Sequence, residues 1–383
     1  MEGGMERRTS VVEPVQDDAA TERLYGATQW QLMGWQFRKH KLAMGAAVVL
    51  CIFYLVALFA EFFSPHDPML RYNRFIYAPP QRIRFVHEGQ FQARPFVYGY
   101  DQSLDPQTLM RVYTIDTSKR YPVRFFTKGY EYKLLGLINT DIHFMGVEEP
   151  GGTLFLLGTD RLGRDLFSRI LHGGRISLTM GLCSVFLSLF IGLLLGGLAG
   201  YYGGTIDNII QRLIEILRSM PTIPLWMGLS AAVPSDWPPL KTYFAITIVL
   251  SIIGWTTLAR RVRGRFLSLR EEDFVISARL AGASELRIIF VHMLPSFMSH
   301  IIVSVTLSIP QMILGETALS FLGLGLRPPV ISWGVLLKEA QNLNTIAVHP
   351  WLLTPALFVI AAVLAFNFVG DGLRDAADPY SHL

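Results

Sequence analysis

Only two cysteines occur in the 383 residues, and charged side chains make up just 17% of them. Cys51 and Cys183 both fall inside apolar runs, so they are expected as small buried hydrophobes rather than as a disulfide or a metal pair. No H-E-x-x-H occurs and the nine histidines are scattered, which excludes the usual zinc constellations and leaves those histidines as structural groups. No G-x-x-x-x-G-K-[ST] is present, so the chain has no ordinary cradle for the phosphates of ATP. No nucleophile elbow appears either. A basic soluble domain is also missing, so the net charge of +4 and the pI near 9.0 do not point to nucleic acid. Lysines and arginines gathered beside membrane spans produce the same balance. Finally, roughly 40 polar residues precede the first apolar run with no small-residue cleavage pattern after it, so that run is expected to stay as an anchor rather than leave as a signal peptide.

Apolar sequence fills the space these absences leave. Hydrophobic residues reach 51% and the mean hydropathy is +0.36. Several runs attain roughly 18–20 residues, enough to cross a hydrocarbon layer about 30 Å thick. The expected architecture is an all-α polytopic membrane protein with six transmembrane helices and a small β-rich insert between the first two. Residues 1–41 form a polar segment ending in Arg38, Lys39, His40 and Lys41, and residues 42–62 hold the first span. The insert occupies 63–157, where the alternating runs 82–87, 111–116 and 121–126 suggest strands and Asp116 to Lys119 a hairpin turn. A core over 158–369 carries five more spans, expected at about 176–201, 213–233, 243–258, 296–321 and 351–369, before a tail at 370–383. The second of the six is rich in glycine, which suits close helix contact in lipid.

Six spans put both termini on one side. Basic residues concentrate before the first span and after the fourth, at Arg260, Arg261, Arg263, Arg265 and Arg270. The positive-inside bias therefore places these flanks in the cytoplasm and the long insert outside. No internal repeat, heptad run or inverted pair of interrupted spans is visible.

Between the fourth and fifth spans lies a polar, helix-forming loop at 266–295. Ser268 and Glu271 stand in capping-box spacing for a helix reaching about Ala281, and Gly282 is placed to close it in the left-handed conformation. Ser284 can cap a second short helix with Glu285 in its first turn, and Pro295 marks entry into the next span. The pair would display Phe274, Ile276, Leu280 and Ile288 beside Arg279 and Arg287, a surface able to enter a groove on a partner. The plainer alternative is a solvated connector.

Two further groups invite a role. Asp160 in LGTDRLGRDLFSRIL can cap a helix with an apolar stripe, lying at the outer interface before the second span. Asp160, Arg164 and Asp165 either serve that packing or contribute to a gate or an outer contact. Glu316 is the one acid well inside an apolar run, so it faces the bundle interior or lies near the outer mouth. It is either a gate residue or a buried hydrogen-bonding group. Arg212, Glu215 and Arg218 read as an interfacial face at the start of the third span.

The loop resembles the EAA motif of ABC importer permeases, a Glu-Ala-Ala triplet followed by three residues, a glycine, nine residues and Leu-Pro. Ile276, Ser277 and Ala278 take the triplet, Gly282 the glycine, and Leu294-Pro295 the close. The first two triplet positions depart, and with them any polar contact that the usual Glu makes. The segments 157–178, 316–329, 332–334 and 366–379 are similar to the C-type permease of dipeptide and oligopeptide importers, and the long insert to the branch that includes microcin-type peptide permeases. The resemblance implies a type I ABC importer permease fold in the bacterial inner membrane, with both termini cytoplasmic and no catalysis of its own. It implies as partners a second homologous permease, two ATP-binding subunits that hold the ATP and Mg, and a periplasmic solute-binding protein. It also implies a coupling surface at Asp273, Phe274, Ile276, Ser277, Ala278, Arg279, Gly282, Ala283, Leu294 and Pro295. Peptides are the expected cargo, with oligosaccharides or opine-like compounds as the alternative. A stand-alone secondary transporter or channel would instead place several charges at mid-membrane, and an enzyme built on the insert would need a convergent nucleophile or acid–base set.

Overall fold

The structure is a computed structural model describing residues 28–107 and 110–377. Most of the polar N-terminal segment and the last six residues of the tail lie outside them. Helix α1 (Gln29–Lys39) leads into α2 (Lys41–Leu58), whose start is capped by the His40 ring accepting from the Ala43 amide, and a short α3 (Ala60–Phe63) follows. Five strands come next: β1 (Arg84–His87), β2 (Gln90–Leu104), β3 (Arg111–Pro122), β4 (Arg124–Leu134) and β5 (Ile138–Gly146). The helical remainder includes α4 (Leu166–Tyr202), α5 (Gly204–Ser219), α6 (Thr222–Ala231), α7 (Pro239–Leu269), α8 (Asp273–Leu280), α9 (Glu285–Arg287), α10 (Met298–Thr306), α11 (Ile309–Phe321), α12 (Trp333–Leu337), α13 (Leu343–Val348) and α14 (Thr354–Ala377), with short helical turns at Ile288–Met293, Leu294–Ser296, Lys338–Gln341 and Pro350–Leu353.

Among the described residues, five helical segments are long and apolar enough to cross a membrane: Lys41–Leu58, Leu166–Tyr202, Pro239–Leu269, Met298–Phe321 and Pro350–Ala377. The sequence suggested six. The run expected as the third span is divided between α5 and α6, because Met220 (ψ 139°) and Pro221 (ψ 131°) are extended. Proline disfavours the helical region for the residue before it and offers no amide to continue the ladder. Helix α5 is amphipathic, burying Asp207, Ile210 and Ile214 while Arg212, Glu215 and Arg218 point away. Both cysteines are free and lie on exposed helix faces, not buried ones. Within an apolar span such a face needs no protein neighbour, since lipid serves the same side chains.

Strands β1, β2 and β3 form an antiparallel sheet in that order, and β4 pairs with β5 as a separate hairpin. The expected turn at Asp116 to Lys119 is instead a bulge within β3. Tyr98 pairs with Arg120 and the next residue, Gly99, with Asp116, so three residues bulge out of the ladder. The Asp116 carboxylate holds that bulge, accepting from the Ser118 amide at 3.0 Å and from Lys119 Nζ at 2.7 Å. Val97, Val123 and Leu154 make a small apolar core beneath the sheets.

The bundle is organised on α4 and α7. Gly192, Gly196 and Gly200 recur every fourth residue on the face of α4 that meets α7. A Cβ on Gly196 would stand 2.5 Å from the Ala259 carbonyl oxygen, and one on Gly200 would stand 2.5 Å from Phe266 Cβ. Backbone approach this close is what small residues permit in lipid, where dispersion rather than the hydrophobic effect holds helices together. Replacing Gly196 by leucine should force the helices apart and cost about 1–3 kcal/mol or more. The expected result is a lower unfolding temperature of the purified protein, with Gly34→Ala, where a Cβ meets nothing within 4 Å, as the neutral control.

Candidate functional site

Helix α4 fixes the separation of the two candidate regions. Its 37 residues span about 55 Å at 1.5 Å per residue, well beyond a hydrocarbon layer of about 30 Å. The Asp160–Asp165 segment leads into its first turn, the strands pack on α3, which Arg175 of α4 holds through Glu61, and the 266–295 loop packs against its last turn.

The loop is built around Gly282. Helix α7 does not stop at Ser268 but runs to Leu269, so the expected capping box is absent and Ser268 is helical. Nothing in RRVRGRFLSL breaks the helix, and Glu272 instead supplies the N-cap backbone of α8. The end of α8 is as expected: Gly282 has φ +79°, its amide donates to the Arg279 carbonyl at 3.0 Å, and the Ala283 amide donates to Ala278 at 3.1 Å. This paired closure is the Schellman motif, which turns the chain sharply while satisfying the last carbonyls. Ser284 takes an extended N-cap conformation before α9 without a side-chain bond, and Glu285 donates its charge to the first turn.

Packing then divides the loop into a base and a face. Val275 and Ile288 are buried with Phe266, Met293 and Phe297, so Ile288, expected on display, belongs to the base. The exposed face carries Phe274, Ile276, Leu280 and Leu286, with Leu280 at 83% exposure. Asp273, Ser277, Arg279 and Gly282 are exposed beside them, Ala278, Ala283 and Leu294 are half-buried, and Pro295 is exposed. Two braces tie the loop to the end of α4: Tyr202 Oη donates to Glu285 Oε2 at 2.5 Å, and the Arg279 guanidinium lies 5.8 Å from the Tyr201 ring centroid. Sequence reasoning missed these tyrosines, because the partners are some eighty positions apart. A π-helical turn over Ile288–Met293 carries the chain onward, exposing Phe290 and Val291.

At the far end of α4, the cap expected of Asp160 is supplied by Asp165 instead. Asp165 is the N-cap, its Oδ2 accepting from the Ser168 amide at 2.9 Å and from Ser168 Oγ at 2.5 Å. Asp160 instead organises the preceding turn: Oδ1 accepts from the Leu162 and Arg164 amides at 2.8 and 3.0 Å, and Oδ2 pairs with Arg164 Nε at 2.7 Å. The helix that begins there continues without a break into the long α4, so no separate interfacial helix exists. Glu339, in the 3-10 turn Lys338–Gln341 after α12, joins the same cluster at 3.5 Å from both Arg164 and Arg161.

Burial pushes the Asp165 carboxyl up to about 7, against the lowering effect of its Ser168 bonds. A carboxyl whose folded pKa is raised stabilises the fold most below its unfolded value near 4 and loses that contribution as pH rises through about 7. Buried His66, pushed down to about 4, acts in the opposite sense, its contribution being lost as pH falls toward 4. Asp165→Asn keeps the cap acceptor but cannot ionise. Relative to the unaltered protein it should gain unfolding temperature between pH 5 and pH 8, and a constant difference across that range would contradict the assignment.

Glu316 is fully buried and meets three serines: Oε2 accepts from Ser177 Oγ at 2.9 Å, and Oε1 from Ser320 Oγ at 2.8 Å and Ser332 Oγ at 2.7 Å. Those serines accept in turn from the Trp333, Leu326 and Val335 amides. Of its two readings, its surroundings match the hydrogen-bonding one, joining α4, α11 and α12. It shares no contact with Asp160, Arg164 or Asp165.

Comparison with known proteins bears on this arrangement. Residues 192–380 match the family described as binding-protein-dependent transport system inner membrane component, and residues 28–80 match the N-terminal TM domain of oligopeptide transport permease C. The oligopeptide transport system permease protein OppC of Bacillus subtilis is 38% identical over 251 residues, covering 65% of this chain and 77% of its own. The chain belongs to this family of oligopeptide transport permeases. The OppC of Salmonella typhimurium is 45% identical over 228 residues, covering 58% of this chain and 71% of that protein. An inward-facing MetNI methionine ABC transporter structure aligns at a TM-score of 0.43 with 19% identity, over 54% of this chain and 95% of that one. As a permease of this family the chain is a multi-pass inner-membrane component of an ABC transporter. The strands of the insert fall in 81–191, outside both family matches.

Proposed function

We propose that this chain is the pore-forming subunit of an ATP-driven importer of peptides or peptide-like solutes, and that the 266–295 loop receives the drive. The single observation behind this reading is the loop's division of labour: an exposed apolar face carried on a buried base. Phe274, Ile276, Leu280 and Leu286 offer anchors for a groove, while Val275 and Ile288 tie those anchors to α7 and α10. Exposed apolar anchors in a polar surround are the composition of interface hot spots. A push on α8 is transmitted because a packed base moves as a unit.

In this reading the loop is cytoplasmic, the insert periplasmic and both termini cytoplasmic. Helices α5 and α6 complete the sixth crossing as a broken pair. Two ATP-binding subunits, holding ATP and Mg, dock on this loop and on that of a second homologous permease. A soluble binding protein delivers cargo at the insert side. The chain itself carries no ATPase site and performs no chemistry.

Purification of the detergent-extracted complex tests this. ATP-binding subunits should co-purify with the intact chain, and deleting 272–290 should release them while the protein still inserts in the membrane. Uptake without ATP by the chain alone would defeat the proposal.

A further inference from the structure

The arginines after the long apolar part of α7 do not share one environment. Arg263 is neutralised by Asp207, its Nε and Nη2 each donating to a carboxylate oxygen at 2.5 Å, and Arg270 has Glu271 at 3.4 Å. Arg260, Arg261 and Arg265, and Arg374 from α14, have no carboxylate within 4 Å among the described residues. These four line one cavity of about 560 Å³ together with His300, which accepts from Arg265 at 3.1 Å. Among the described residues no acidic one lines it, and its inner wall is apolar, from Leu258, Phe297, Ile301 and Leu307.

Depth completes the picture. Arg260 lies about 32 Å along α7 from Pro239, and Arg374 about 30 Å along α14 from Thr354, each close to the thickness of a hydrocarbon layer. Trp237 and Trp351 stand just before those starting points, where interfacial tryptophans belong. The arginines therefore sit at the opposite boundary between hydrocarbon and headgroups. Four uncompensated guanidinium groups above an apolar wall, at that depth, complement an anionic amphiphile: phosphate at the arginines, acyl chain along the wall.

We propose that this cavity binds an anionic phospholipid from the leaflet on the coupling-loop side. The proposal rests on the topology given above, with the loop cytoplasmic. Binding there would brace α7, α10 and α14 next to the element that receives the drive.

The test uses the intact complex in nanodiscs of mixed phosphatidylglycerol and phosphatidylcholine, read by native mass spectrometry of retained lipid. The wild-type complex should retain phosphatidylglycerol in preference to phosphatidylcholine, and an excess of inorganic phosphate should not displace it. Arg261→Gln/Arg265→Gln should weaken that retention about thirtyfold, at about fivefold per guanidinium near an anionic surface. Arg374→Gln, on a different helix, should weaken it about fivefold and serves if the double variant does not assemble. Equal retention by wild type and variants, or displacement by inorganic phosphate, overturns the proposal, the latter marking a small-anion site. Co-purification of the ATP-binding subunits is scored on the same sample: their absence with lipid selectivity intact faults the coupling loop, and the reverse faults the lipid site.

Discussion

Leu280→Asp should detach the permease from its ATP-binding subunits while leaving its own fold intact. Leu280 is 83% exposed at the end of α8, so its loss removes no internal packing and should change stability by no more than about 0.5 kcal/mol. An apolar anchor at the centre of an interface is worth about 2 kcal/mol or more, and burying an unpaired carboxylate there adds a further cost. Association should weaken at least about thirtyfold, and uptake should fall with it. The comparison is Val275→Ala, fully buried in the base, which should lower the unfolding temperature and loosen coupling together. If Leu280→Asp still co-purified with the ATP-binding subunits at wild-type yield, the exposed face would not be the docking surface.

The second large effect is expected at Glu316. Glu316→Ala takes the acceptor away from three serine hydroxyls at once and opens a cavity where α4, α11 and α12 meet. Each unsatisfied buried polar group costs about 1–3 kcal/mol, so the variant should lose about 3–5 kcal/mol and accumulate poorly in the membrane. Glu316→Gln keeps an acceptor oxygen and the volume, so it should retain most of the stability. A gate residue would behave in reverse, with normal accumulation of both variants and altered transport in each. The two outcomes are separated by measuring membrane abundance and the unfolding temperature alongside uptake.

How much of this was legible in the sequence depended on how local the cause was. Gly282 could be read because a left-handed residue closing a short helix is decided within six positions, and the structure has it at φ +79°. Family spacing pointed to the same glycine. The capping box at Ser268 failed for the converse reason: the motif was present, but α7 had no cause to stop before it. Asp160 and Asp165 are both plausible caps five residues apart, and only the turn that brings Arg164 back onto Asp160 decides between them. The Asp116–Lys119 segment has turn composition, yet pairing of β2 with β3 on either side makes it a bulge. Tertiary partners were invisible throughout. Nothing local tells that Ser177, Ser320 and Ser332 converge on Glu316, or that Arg263 finds Asp207 while Arg265 faces a cavity. The break in the third span was not legible from composition, since hydropathy alone ran across Pro221.

Sidedness of the loop decides the account. A single cysteine introduced at Leu280, with Cys51 and Cys183 replaced by alanine, can be challenged with a membrane-impermeant maleimide. The account expects no labelling from outside intact cells, labelling in inside-out vesicles stripped of the ATP-binding subunits, and protection when those subunits are restored. Labelling of that cysteine from outside intact cells would put the loop on the wrong side of the membrane and contradict the mechanism.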